Sequence, residues 1–163
     1  MDPITLKALA DFPAQLEAHY AAIPAESKHW KPAAWEGIPS EHLTAIEQIC
    51  HVRDVEIEGY RVRFQRTLDE NRPRLPSLDT DALARDRSYH KQDAEQVLAE
   101  LKQARAKTLE MLKALSPQQL SRKAEFEGYG PVTLQSLVHY LCSHDQQHLA
   151  GLQWLLGKLQ TAT

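Results

Sequence analysis

Proline and glycine fall in a few places along the chain, and the intervals they leave are long and rich in Ala, Leu, Glu, Gln, Lys and Arg. With six glycines and nine prolines among 163 residues, those intervals predict helix, because such side chains lose little rotamer freedom there and nothing interrupts the hydrogen-bond ladder. A first helical region spans Ile4 to Ile23, with Pro13 either a kink or the first residue of a new turn after Asp11, and Pro24 ends it. Pro24 to Pro39, with Trp30, Pro32, Trp35 and Gly37, reads as an irregular connection whose indoles pack over a bundle end. Ser40 is expected to cap a helix from Glu41 to about Glu70, roughly 45 Å at 1.5 Å per residue. Pro73 and Pro76 break the chain, Asp79-Thr80-Asp81 can cap a short turn before Tyr89, and a third long helix runs from about Asp93 to Leu115 until Ser116-Pro117 stops it. Thr133 caps the last helix, through about Leu159. Since each apolar stripe must be covered by the others, the pattern predicts an all-α four-helix bundle, a single domain over residues 1–163. A short irregular or extended segment, Arg122 to Gly130, precedes the last helix.

Charge narrows the partners. Nineteen Lys and Arg against 22 Asp and Glu leave a formal charge of −3, so no basic surface for nucleic acid is expected. No apolar run approaches the roughly 20 residues of a membrane span. Met1-Asp2-Pro3 does not open like a signal peptide. The two cysteines, Cys50 and Cys142, read as free thiols filling a core in a reducing cytoplasm.

The last helix carries the chemistry. Leu134, Leu141 and Leu155 step by sevens, with Leu137 and Gly151 as a companion series, and the missing members are His148 and His144. Both imidazoles therefore replace core residues on an inward stripe, one turn apart. Two rings so arranged can point at one metal ion, or each can be a hydrogen-bonded core residue. The zincin pattern needs Glu straight after the first His, and Asp145 stands there, so that class is excluded. A third ligand must come from elsewhere. His139 lies about 140° round the helix from His144 and should face away. His29, His42 and His90 fall in loops or exposed helix ends. His51 lies mid-helix on a strip with Thr44, Val55 and Val62, although Ile46, Ile49, Cys50, Ile57 and Phe64 occupy another sector of the same helix.

The runs Cys50-His51-Val52-Arg53-Asp54-Val55-Glu56 and His144-Asp145-Gln146-Gln147-His148-Leu149 resemble the DinB-like family of metal-binding helical bundles. So do Pro73-Arg74-Leu75-Pro76-Ser77-Leu78-Asp79 and Gly130-Pro131-Val132-Thr133-Leu134. The resemblance covers about Trp35 to Leu155. It implies a four-helix bundle, a homodimer, and a divalent metal, zinc or nickel, held by one His of the second helix and two of the last, which correspond to His51, His144 and His148. A related branch, the mycothiol-dependent isomerases, has Glu at the position of His144, so this chain is similar to the three-His type.

Three neutral imidazoles leave the ion's charge uncompensated and a coordination position open, as in catalytic metal sites. Such a site would act on a small-molecule substrate, activating water for hydrolysis or a low-molecular-weight thiol for S-transfer. The alternative is a non-catalytic bundle stapled by the metal that binds a small ligand or a protein partner. Among accessory groups, Asp145 would orient a ligand from behind or be a helix-surface charge. Asp54 and Glu58 would be acid–base groups or solvated carboxylates, and Tyr140 and Tyr129 would donate to a substrate oxygen or be ordinary core tyrosines.

Overall fold

In the computed structural model residues 1–161 are described; the last two residues of the expected 1–163 domain lie outside them. Helix α1 (Pro3–Ala22) starts where the Asp2 carboxylate accepts from Thr5 N at 2.8 Å, and it contains Pro13. The second rod comprises α2 (Ala45–Asp54), a π-helical stretch (Val55–Tyr60) and α3 (Arg61–Asp69). After α4 (Thr80–Asp86), whose Asp79 cap accepts from Ala82 N, comes α5 (Ala94–Lys113), capped by Asp93. The short α6 (Pro117–Leu120) leads into the hairpin, and α7 (Leu134–Thr161) follows. Thr133 does cap α7: its Oγ1 accepts from Ser136 N at 3.1 Å. The long rods pack with α1 against α5 and α7, and α2 against α5 and α7.

Two expectations need correction. The second rod begins at Thr44 rather than Ser40, because Thr44 and Glu47 form a capping box that satisfies the first free amide groups reciprocally. Residues 40 to 43 therefore remain in the connection. The rod is also not a uniform α-helix. A π turn inserts about one extra residue, so residues beyond it are rotated by roughly 100° from where an unbroken α-helix would put them. Val62, expected on the strip of His51, is accordingly 45% exposed while Phe64 is sealed.

The extended segment before α7 is a hairpin, β2 (Lys123–Phe126) and β3 (Gly130–Thr133), with Ala124 opposite Val132. Gly128 sits in the turn at φ +81°, a conformation that favours glycine. A third strand, β1 (Arg74–Leu75), pairs parallel to β2. Its flanking Pro73 and Pro76 read as breakers in the sequence, but an edge strand tolerates proline because one side of its backbone donates to nothing.

The apolar core has two halves. One gathers Phe12, Leu16, Ile49, Leu101, Leu152 and Leu155. The other gathers Leu9, Phe64, Leu112, Phe126, Leu137 and Leu141. Beside them, along the end of α2, the π-helical stretch, α5 and α7, are buried polar side chains: His51, Glu56, Arg105, Thr108, Asp145 and His148. The candidate site belongs to that group.

Candidate metal centre

His51 comes from the last turn of α2, His144 and His148 from successive turns of α7, and Glu41 from the connection just before α2. One donor atom from each lies within 4.8 Å of the other three. The Nε2 atoms of His51 and His144 are 3.0 Å apart, and those of His144 and His148 3.2 Å. Glu41 reaches His148 Nε2 with Oε2 at 3.1 Å and His51 Nε2 with Oε1 at 3.6 Å. For a tetrahedral ion with metal–nitrogen bonds of 2.0–2.1 Å, ligand atoms stand about 3.3 Å apart, so these spacings fit such an ion.

The surrounding bonds set the ring tautomer. Gln48, wholly buried, donates from Nε2 to Leu43 O at 3.4 Å, so its Oε1 faces His148 Nδ1 at 3.0 Å and that nitrogen must carry the proton. His148 Nε2 is thereby left with its lone pair turned into the cluster. Gly151 makes this arrangement possible. A Cβ there would stand 2.2 Å from Ser40 Oγ and 2.8 Å from Gln48 Oε1. His144 Nδ1 is buried with no hydrogen-bond partner among the described residues, and the Tyr60 ring lies 6.2 Å from the His144 ring between centroids.

Burial and the neighbouring His148 push His51 down to about 4 and hold His144 well below the ordinary imidazole range. Both are neutral bases at neutral pH, the form that binds metal. Burial opposes ionisation of Glu41, but when the cluster is protonated His148 Nε2 donates to it and the positive rings of His51 and His148 hold its carboxyl below the usual range, whereas in the neutral tautomer that Nε2 is an acceptor turned toward the cluster. The cluster thus offers three imidazole nitrogens and one carboxylate, a donor set suited to a borderline divalent cation.

The other sequence candidates lie elsewhere. Asp145 is neither on the helix surface nor against a histidine: its two oxygens accept from Arg105 at 2.7 and 3.0 Å. Arg105 also donates to Glu56 at 2.9 Å and to Leu9 O at 2.9 Å, and Thr108 closes the network onto Glu56. Burial pushes the Asp145 carboxyl up to about 7 even against the pull of Arg105. Asp54 is held by Arg53, Arg87 and the Tyr89 hydroxyl. Glu58 is exposed and paired to Arg87. Tyr140 packs against Tyr129, their centroids 4.7 Å apart. His139, His29, His42 and His90 are exposed, and both cysteines are free. Cys50 is sealed, with its thiol pushed up to about 12 by burial.

Glu41 and Arg105 are the residues sequence reasoning missed. The Thr44-Ala45-Ile46-Glu47 capping box would have released Glu41 from the helix. Arg105 stands with Leu101, Thr108 and Leu112 on the inward face of α5, a position from which its burial could have been read.

The profile of the DinB superfamily matches residues 8–152. The chain belongs to the DinB superfamily. Among solved structures it is similar to YfiT from Bacillus subtilis, described as a probable metal-dependent hydrolase with an unusual four-helix bundle topology. The TM-score is 0.84 at 20% identity, over 98% of this chain and 90% of that one, so the two share a fold. A comparison with curated proteins gives no match. As a DinB-superfamily member, the chain carries its candidate metal centre among the buried polar side chains of a YfiT-like bundle.

Proposed function

We propose that this protein binds a divalent cation, zinc or nickel, through His51, His144 and His148 with Glu41 at the fourth position, and uses it to activate water or a thiol for attack on a small molecule. The observation that carries this reading is the meeting of three imidazole nitrogens at the spacing of a tetrahedral ion, beside a carboxylate whose side chain is 42% exposed. The bound ion would supply Lewis acidity, making a water or thiol acidic near neutral pH. Glu41 lies on a connection rather than a helix, and its half-exposed carboxylate would accept the nucleophile's proton at an Oε atom. Gln48 holds His148 from behind, and Arg105 anchors the neighbouring turn of α7 through Asp145. The hydrolase description of YfiT supports the water-activating branch.

Four donors in reach of one another also favour a second reading, in which the ion is a closed structural staple between α2 and α7. Elemental analysis of protein purified without an affinity tag, with hydrolase and thiol-transfer panels, separates the two. The enzyme reading expects about one equivalent of metal, loss of that metal in His148→Ala, and turnover that Glu41→Gln abolishes while keeping the metal. Metal present without turnover on any substrate gives the staple. Failure to take up zinc or nickel overturns both.

A further inference from the structure

Two ring contacts from the histidine cluster lies an arginine that aromatic faces and one carbonyl surround but no carboxylate answers among the described residues. Arg63, on α3, is 6% exposed. Its Cζ sits 4.4 Å from the centre of the Phe126 ring and 5.2 Å from that of Tyr60, and the Tyr60 ring in turn faces His144 at 6.2 Å. The guanidinium donates to Pro76 O from Nη2 at 3.1 Å. Its Nε is buried with no partner, and no carboxylate pairs with it among the described residues. The other buried arginines differ: Arg105 and Arg53 each hold two carboxylates. A guanidinium taken out of water without a counter-ion is costly unless a ligand supplies one.

The backbone keeps the remaining donor clear. Gly59, in the π-helical stretch, is a position where a Cβ would meet Arg63 Nη1 at 3.0 Å and Leu78 Cδ1 at 3.3 Å. Nη1 itself makes no hydrogen bond among the described residues. The hydroxyl of Tyr60, 5% exposed, is likewise without a partner there. The π turn sets Tyr60 against His144, so the cation, the tyrosine and the candidate metal centre line one side of the bundle in sequence.

We propose that Arg63 is an anion subsite of the candidate metal centre, receiving the carboxylate of a small substrate on Nη1 while the substrate's reacting end lies toward the histidines past Tyr60. The inference rests on the metal-dependent reading and names its substrate class as a carboxylate-bearing small molecule. Carboxylate is chosen because a planar two-oxygen anion matches the guanidinium fork.

The test uses glutarate and its uncharged diamide, glutaramide, as probes on the full chain, metal-free and zinc-loaded. The Nε–H resonance of Arg63, followed in protein labelled with nitrogen-15 at arginine and assigned by its loss in Arg63→Met, should shift saturably with glutarate and not with glutaramide. By calorimetry Arg63→Met should weaken glutarate binding at least tenfold with zinc uptake unchanged. Gly59→Ala, which crowds Nη1 in a helix that favours Ala, should weaken it severalfold and keeps the test available if Arg63→Met does not fold. Equal shifts with the two probes, no saturable shift in either form, or wild-type glutarate affinity in folded variants would overturn the subsite. Absence of zinc uptake would instead count against the metal reading, and the metal-free titration judges Arg63 by itself.

Discussion

Replacing Gly151 by Ala should loosen the metal while leaving the bundle folded. The built Cβ stands 2.2 Å from Ser40 Oγ and 2.8 and 3.0 Å from the two terminal atoms of Gln48. Ser40 is on a half-exposed connection and can rotate away, but Gln48 is 0% exposed and can only retreat as a whole side chain. A retreat of several tenths of an ångström breaks its 3.0 Å bond to His148 Nδ1 and releases the ring orientation. Loss of such an outer partner typically costs about 10- to 100-fold in metal affinity, roughly 1.4 to 2.8 kcal/mol. Without metal two effects compete: overpacking costs about 1–3 kcal/mol, and Ala in place of Gly in a helix returns up to about 1 kcal/mol. The expected net destabilisation is therefore small, about 0–2 kcal/mol. Gly157 on the same helix is the control, since a Cβ there meets nothing within 4 Å. Gly157→Ala should gain about 0.5–1 kcal/mol with zinc affinity unchanged. Chelator competition measures affinity and urea unfolding measures stability. If Gly151→Ala holds zinc within twofold of wild type, the reasoning about Gln48 fails.

Three further outcomes follow from the buried polar side chains. Arg105→Met leaves Asp145 and Glu56 buried without their cation, and urea unfolding should show a loss of about 3–5 kcal/mol; a loss under 1 kcal/mol would show that the network contributes little. Metal-free protein should weaken in acid, because His51 is depressed from 6.5 to about 4 on folding. The unfolded chain then binds more protons across that window, so the contribution is complete above pH 6.5 and is lost as pH falls toward 4, on the order of 3 kcal/mol. Denaturation with chelator present should show that slope, and His51→Gln should reduce it without abolishing it, since His144 is depressed on folding too. Thr44→Ala removes the side-chain half of the capping box and should cost about 1 kcal/mol by thermal unfolding, with some loss of metal affinity because the cap also fixes where Glu41 leaves the helix.

The bundle was legible because helix periodicity and breaker positions are local signals, and Asp79, Asp93 and Thr133 cap where their chemistry says they should. His144 and His148 were legible as inward residues for the same reason: the heptad of α7 has no irregularity between Leu134 and Leu155. The position of His51 was harder, since two sectors of its helix are apolar and only the packing against α5 and α7 chooses between them. β1 was invisible, because a two-residue strand between prolines exists only through a partner some fifty residues away. Glu41 is hidden because Ser40 and Thr44 are both competent N-caps and only the Glu47 bond to the Thr44 amide decides for the second, and Arg105 because its two carboxylates come from distant stretches of the chain.

The π turn acts as a phase shifter in the rod that carries His51. Upstream of it the helix presents an imidazole, downstream it presents Tyr60 and Arg63 to the same side, and an ordinary α-helix could not show all three there. Deleting one residue between Val55 and Tyr60 would bring the rod back into step and swing its far end by about a quarter turn. Length along this rod is therefore as much under constraint as residue identity, and single-residue indels in it should be far less tolerated than those in the connection between α1 and α2.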